Sequence, residues 1–159
     1  MKQQRLKEIL AMYDPKVIVE IGTQRHGLSR TDDGQSTEIF AEWGDEVWSV
    51  DTDPLALEKA KEAVGEKVNF VQEDGVEFLK KFNKPINLLY LDGSNDPIET
   101  AQQYSVCIVQ GVVVLDDCMK INDHPLGKGD VLLNQLSYYT FLECQKHYRM
   151  VMIPRHDIK

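Results

Sequence analysis

The sequence predicts an α/β fold, doubly wound around a mostly parallel sheet, and three observations carry that reading. Short apolar runs rich in β-branched residues alternate with amphipathic stretches five times along the chain. The first run, residues 17–21, is followed at once by Gly22, the strand–glycine–helix opening of such a sheet. The five runs end at or just before acids: Glu20, Asp51, Asp74, Asp92 and the pair Asp116-Asp117. In a parallel sheet those ends share one edge, which is where ligands bind.

Each element has a local reason. Leu6, Ile9, Leu10 and Tyr13 follow helical spacing, so residues 3–13 are predicted as an amphipathic helix against one side of the sheet, stopped by Asp14-Pro15. The run 17–21 reads as a strand buried on both faces. The connection 23–35 is long for a βα loop and reads as a candidate lid. Ser36 or Thr37 can cap the next helix, whose apolar face holds Ile39, Phe40 and Trp43. A strand is expected at 46–50, ending in Asp51. Asp53-Pro54 is an N-cap with proline at the first helical position, opening a helix over 54–64. A strand at 68–71 and a short helix with Val76, Leu79 and Phe82 follow. The next strand is 86–91. Asp96-Pro97-Ile98-Glu99 has the form of a capping box and predicts a helix over 97–108. The fifth strand is expected at 111–115. Beyond it the sequence reads as a loop over 119–130, a helix over 130–147 and a sixth strand over 148–153. Few residues remain after that strand, so either the sequence stops short of a seventh strand, or the sheet ends early, or the sixth strand lies earlier than 148–153. A sheet without its edge strand would leave an exposed edge, and a homodimer is one way to cover it.

The 159 residues suit a single domain, with a terminal helix over 1–14, a core over 17–118 and a C-terminal portion over 119–159. Hydrophobic residues are 42% and charged residues 28% of the chain, as in an ordinary globular protein. Lys plus Arg is 18 and Asp plus Glu is 26, a formal net charge of −8. That surface repels phosphate backbones, and no basic patch offsets it, so nucleic acid is not the expected partner. Cys107, Cys118 and Cys144 form no C-x-x-C pair and fit reduced thiols in a cytoplasmic protein. The charged N-terminus and the lack of a long apolar run point away from a signal peptide and a membrane.

Acids gathered along one edge need a cation or hydrogen-bond donors beside them. Asp53 and Asp96 are best explained as helix caps. Asp51, at the end of the second strand, stands where a carboxylate grips a ribose diol. The G-x-G-x-x-G dinucleotide fingerprint and the phosphate-binding G-x-x-x-x-G-K-[ST] loop are both absent, which argues against a nicotinamide-dependent oxidoreductase. A nucleoside carrying a sulfonium needs no pyrophosphate cradle and suits an acidic crevice.

The motifs Val17-Ile-Val-Glu-Ile-Gly-Thr23 with Gly34-Gln-Ser-Thr37, Trp48-Ser-Val-Asp51-Thr-Asp53, Glu73-Asp74-Gly75 and Leu91-Asp92-Gly93-Ser94 resemble the class I S-adenosylmethionine-dependent methyltransferases. The resemblance implies a Rossmann-like sheet of order 3-2-1-4-5 plus a C-terminal strand or hairpin. It implies S-adenosylmethionine as cofactor, with Glu20 and Gly22 at its methionine end and Thr23, Gly34 and Ser36 along the same turn. Asp51 and Thr52 would lie at the ribose, Asp74 and Gly75 at the adenine, and Asp92 would complete the set. Asp92 with Asp116 and Asp117 further resembles the metal-dependent O-methyltransferases of the catechol and cephalosporin-biosynthesis type. That implies Mg²⁺ or another divalent cation on Asp92, Asp116 and Asp117. Departures from the pattern are the extra length between Gly22 and Gly34, and Asn95 where a lysine or histidine base would be sought. Asp92, Asp117 and His26 are the candidate catalytic residues. Arg25 and Arg30 are further cations of the 23–35 loop, and Lys120 and His124 are spare acid–base candidates.

The resulting expectation is O-methylation of a small-molecule acceptor. A non-catalytic module that binds S-adenosylmethionine or a related nucleoside, acting through protein contacts, is the alternative.

Overall fold

Alternation of side chains along each central strand decides how the sheet is covered. Val19 and Ile21 project to one face and Ile18 and Glu20 to the other, and all four are buried. A run apolar on both sides has nowhere to go except between two helical layers. The computed structural model describes residues 2–24, 35–121, 124–144 and 149–155. Its strands are β1 (Val17–Ile21), β2 (Glu46–Asp51), β3 (Asn69–Gln72), β4 (Ile86–Leu91), β5 (Val109–Ile121), β6 (His124–Leu126), β7 (Thr140–Glu143) and β8 (Arg149–Pro154). Its helices are α1 (Lys2–Tyr13), α2 (Ser36–Trp43), α3 (Pro54–Val64), α4 (Gly75–Lys81), α5 (Pro97–Ser105) and α6 (Asp130–Leu133).

The sheet order is β3-β2-β1-β4-β5-β8-β7, with β6 paired to β5 off that path. Strands β1 to β5 are parallel, while β8 and β7 run antiparallel to their neighbours. The expected 3-2-1-4-5 core with a C-terminal hairpin is therefore what forms. On one face Leu6, Ile9 and Leu10 of α1 and Ile39 and Phe40 of α2 pack on Ile18, Val47, Leu88 and Val112. On the other, Phe78 and Leu79 of α4 and Leu132 and Leu133 of α6 pack on Val19, Val50, Leu89 and Val113. The two Asp-Pro caps read from sequence form: Asp53 Oδ1 accepts from the Leu55 amide at 2.9 Å and Asp96 Oδ1 from the Ile98 amide at 2.8 Å. The expected Ser36 or Thr37 cap does not form: the N-cap of α2 is Gln35, without a side-chain bond, because both hydroxyls donate to Glu20 instead.

The C-terminal portion departs from expectation. β5 does not stop at Leu115 but runs on to Ile121, with Asp117 at φ +49° where the register with β8 shifts. The expected 119–130 loop is instead the β5–β6 hairpin and a 3₁₀ turn over Gly127–Gly129. The expected 130–147 helix is only the short α6, followed by β7. Leu132, Leu133 and Leu136 do have helical spacing, but pairing of Thr140–Glu143 with β8 overrides it. The edge expected to be bare is thus covered by β7, which removes the argument for a homodimer that rested on it. Smaller differences are β3 beginning one residue late and α5 ending at Ser105.

No described helix is long and apolar enough to cross a membrane.

Candidate functional site

The sheet reverses its order between β1 and β4, and the crevice outside that point is built largely from backbone. Gly22 has φ +90°, a conformation that side chains disfavour. A Cβ on it would lie 2.4 Å from the Gly93 Cα and nitrogen, so the ends of β1 and β4 meet this closely because residue 22 is glycine, while a Cβ on Gly93 would be tight at 3.1 Å from the Gly22 nitrogen. The Gly22 amide donates to the Val50 carbonyl at 2.8 Å, and the Asp92 amide to the Ile21 carbonyl at 2.9 Å. The strand ends are thereby locked in step.

Asp51 closes β2 with its carboxylate held from two sides. Oδ2 accepts from the Thr23 amide at 3.0 Å and Oδ1 from the Asp53 amide at 2.9 Å. Each carboxylate oxygen can take more than one hydrogen bond, so this side chain is fixed in orientation yet still able to accept. A cleft beside it is lined by Gly22, Asp51, Thr52, Asp74, Gly75 and Gly93, together with Glu73 and Glu99. Five positions assigned from sequence (Gly22, Asp51, Thr52, Asp74 and Gly75) therefore come together. Gly75 is confined as well, since a Cβ there would sit 2.5 Å from Ile21 Cγ2. Asp74 also supports the fold, because its Oδ1 accepts from the Glu77 amide at 3.0 Å and caps α4. Glu73, Gly93 and Glu99 had no sequence-derived ligand role. The capping box expected of Asp96 and Glu99 forms only in its Asp96 half, because the Asp96 amide donates to Ser94 Oγ and Glu99 accepts from Gln103.

Glu20 does something other than face a ligand. It is 0% exposed, and its oxygens accept from Ser36 Oγ at 2.5 Å, Thr37 Oγ1 at 2.7 Å and Ser49 Oγ at 2.6 Å. Burial pushes its pKa up to about 7, against the downward pull of the three hydroxyl donors, with a further upward push from Asp92. Glu20 and Ser36 thus tie β1, β2 and α2 together behind the crevice. Thr23 serves the crevice indirectly, through its amide on Asp51. Gly34 and His26, with Arg25 and Arg30, lie outside the described residues, as do the side chains of Lys120 and His124.

The ends of β4 and β5 are electrostatically different. Lys128, from the 3₁₀ turn, places Nζ 2.9 Å from Asp92 Oδ1, and its side chain is 2% exposed. Lys2, at the start of α1, is paired with Asp116 Oδ2 and lies 3.8 Å from Asp117 Oδ1. Tyr90 Oη donates to the same Asp116 oxygen, and the Asp117 amide donates to Asp116 Oδ1 at 2.8 Å. Burial and the neighbouring Asp116 raise the Asp92 pKa, while Lys128 opposes them. Burial alone would lower the Lys2 pKa, but Asp116, Asp92 and Asp117 outweigh it and raise it. Burial and Asp116 also keep the Tyr90 phenol protonated, and burial pushes the Cys118 thiol up to about 12.

The expected metal centre on Asp92, Asp116 and Asp117 is not what these residues make. Among the described residues no group of acids, histidines and cysteines converges as a metal set. Asp92 and Asp116 instead answer two ammonium groups and a phenol of the same chain. Lys2, Tyr90 and Lys128 carry no motif that would mark them in the sequence.

No family model matches the chain, and no curated protein sequence matches it. Solved structures do match in shape. The N-methyltransferase NodS from Bradyrhizobium japonicum superposes with a TM-score of 0.70 at 12% identity, covering 98% of this chain and 97% of that one. An rRNA methylase from Streptococcus thermophilus gives 0.67 at 15% identity over 94% and 93%. An O-methyltransferase from Bacillus cereus, solved with S-adenosylhomocysteine, gives 0.64 at 15% identity over 95% and 79%. At such identities the likeness defines the fold: a Rossmann-like sheet of the methyltransferase type.

Proposed function

We propose that this chain is an S-adenosylmethionine-dependent methyltransferase acting on a hydroxyl oxygen of a small molecule. The observation that carries the reading is Asp51: an acceptor carboxylate fixed by two backbone amides at the end of β2, beside bare glycine backbone. That donor and acceptor set fits a nucleoside diol. Asp51 would accept from the ribose hydroxyls. Thr52, Asp74 and Gly75 would border the base, and Gly22 with Gly93 would let the amino-acid end approach the sheet. The cofactor, when bound, supplies an electrophilic methyl group on sulfonium.

Asp92 stands at the switch point between β1 and β4, where an acceptor would enter. Its raised pKa moves it toward the range of a useful proton acceptor, so it would take the hydroxyl proton as the oxygen becomes nucleophilic. Most of the rate would come from alignment of acceptor and methyl group. The formal net charge of −8 favours a small acceptor over a phosphate backbone. Asp117 remains a second candidate carboxylate at this end.

The test is calorimetric titration of S-adenosylhomocysteine into wild type and Asp51→Ala. Micromolar binding that weakens by at least about tenfold in the variant supports the reading. No binding to a folded wild-type chain overturns it.

A further inference from the structure

The lysines at the ends of β4 and β5 are placed with more precision than neutralising a surface would need. Lys128 sits between Gly127, at φ +67°, and Gly129, where a Cβ would lie 2.8 Å from Leu133 Cδ1 and 3.3 Å from Cys118 Sγ. The turn is therefore pressed against β5 and α6, with the Lys128 ammonium directed inward to Asp92. Lys2 comes from the opposite end of the sequence, carried by α1 to Asp116 and Asp117. An ammonium is tolerated in such surroundings only where carboxylates answer it. Two lysines against three carboxylates leave the same formal balance that one divalent cation would leave.

We propose that Lys2 and Lys128 are the resident cations of this acid cluster, and that Lys128 is a positioning residue holding the Asp92 carboxylate at the crevice. The acceptor end then works without a divalent metal, because the charge a metal would bring is built into α1 and the Gly127–Gly129 turn. This inference goes beyond the methyltransferase reading and does not depend on which nucleoside the crevice binds.

The experiment is Mn²⁺ titration of the full chain, followed by the electron paramagnetic resonance signal of free Mn²⁺. Wild type and the charge-preserving Lys128→Arg are expected to take up no Mn²⁺ at millimolar concentration. Lys2→Met with Lys128→Met is expected to gain Mn²⁺ affinity by at least about tenfold, since Asp92 and Asp116 then lose the ammonium groups that hold them as separate pairs and are free to turn toward one cation. Adding Asp92→Asn to that pair should abolish the gain. Lys2→Met alone, in which the replaced side chain is 16% exposed, keeps the test available if the double variant does not fold, and a smaller gain is expected. Two results would overturn the proposal. One is tight Mn²⁺ uptake by wild type that Asp92→Asn removes. The other is a cooperatively melting lysine variant that gains none. Titrating S-adenosylhomocysteine into the same samples separates this failure from failure of the cofactor reading.

Discussion

Glu20, Asp51 and Asp74, at the ends of β1 to β3, are answered by hydroxyls and backbone amides, whereas Asp92 and Asp116, at the ends of β4 and β5, are answered by the ammonium groups of buried Lys128 and half-buried Lys2. The two regions share one sheet edge, and both are rich in acid. At Asp51 the neutral donors set the carboxylate's orientation and bring no countercharge, which suits a surface that must accept hydrogen bonds from a ligand, whereas at Glu20 they sit inside the fold. Ammonium partners cancel charge and tolerate burial only as pairs. The same residue type therefore does two kinds of work, decided by what reaches it from other elements.

The comparison is tested most severely at Lys128. Lys128→Met leaves Asp92 beside Asp116 without its cation, and a loss of about 3–5 kcal/mol in denaturant unfolding is expected. An effect below about 1 kcal/mol would mean that the two regions are not electrostatically distinct.

Gly22→Ala comes next. It places a Cβ within 2.4 Å of Gly93 backbone at φ +90° and should cost about 2–3 kcal/mol, while also loosening the boundary between the two regions.

Glu20→Gln probes the neutral side through pH. The folded pKa of about 7 lies above the ordinary 4.5, so the folded chain holds the proton more tightly than the unfolded one. The stabilisation from this group is complete below about pH 4.5 and is lost as pH rises to about 7. The variant, neutral throughout, should lack that fall, and melting temperatures at pH 5 and pH 8 should differ less than in wild type.

The smallest effect is expected at Asp53→Ala. It removes the cap on the Leu55 amide and should cost about 1 kcal/mol, with little change at the β4–β5 end.

Much of the cofactor side was legible because its signals are local. The glycine after an apolar run, the acid ending the next run and the Asp-Pro caps each declare themselves within a few residues. The readings of Glu20 and Ser36 as ligand contacts went a different way, because Ser49 and Thr37 approach Glu20 from other elements. The β7–β8 pair was hidden for a related reason. Phe141 and Leu142 sit among residues with helical spacing, and only pairing with Val151 and Met150 makes them a strand.

By itself the sequence determined the five parallel strands with helices between them, the glycine turn and the acids along one edge, since each follows from side-chain period and backbone freedom over a few residues. The tertiary structure alone decided which acids are answered by hydroxyls and amides and which by ammonium groups. Lys2 and Lys128 lie far apart in the sequence, and no local pattern says that folding will set them against Asp116 and Asp92. Charge neutralisation depends on distance in space, and sequence separation carries no record of it.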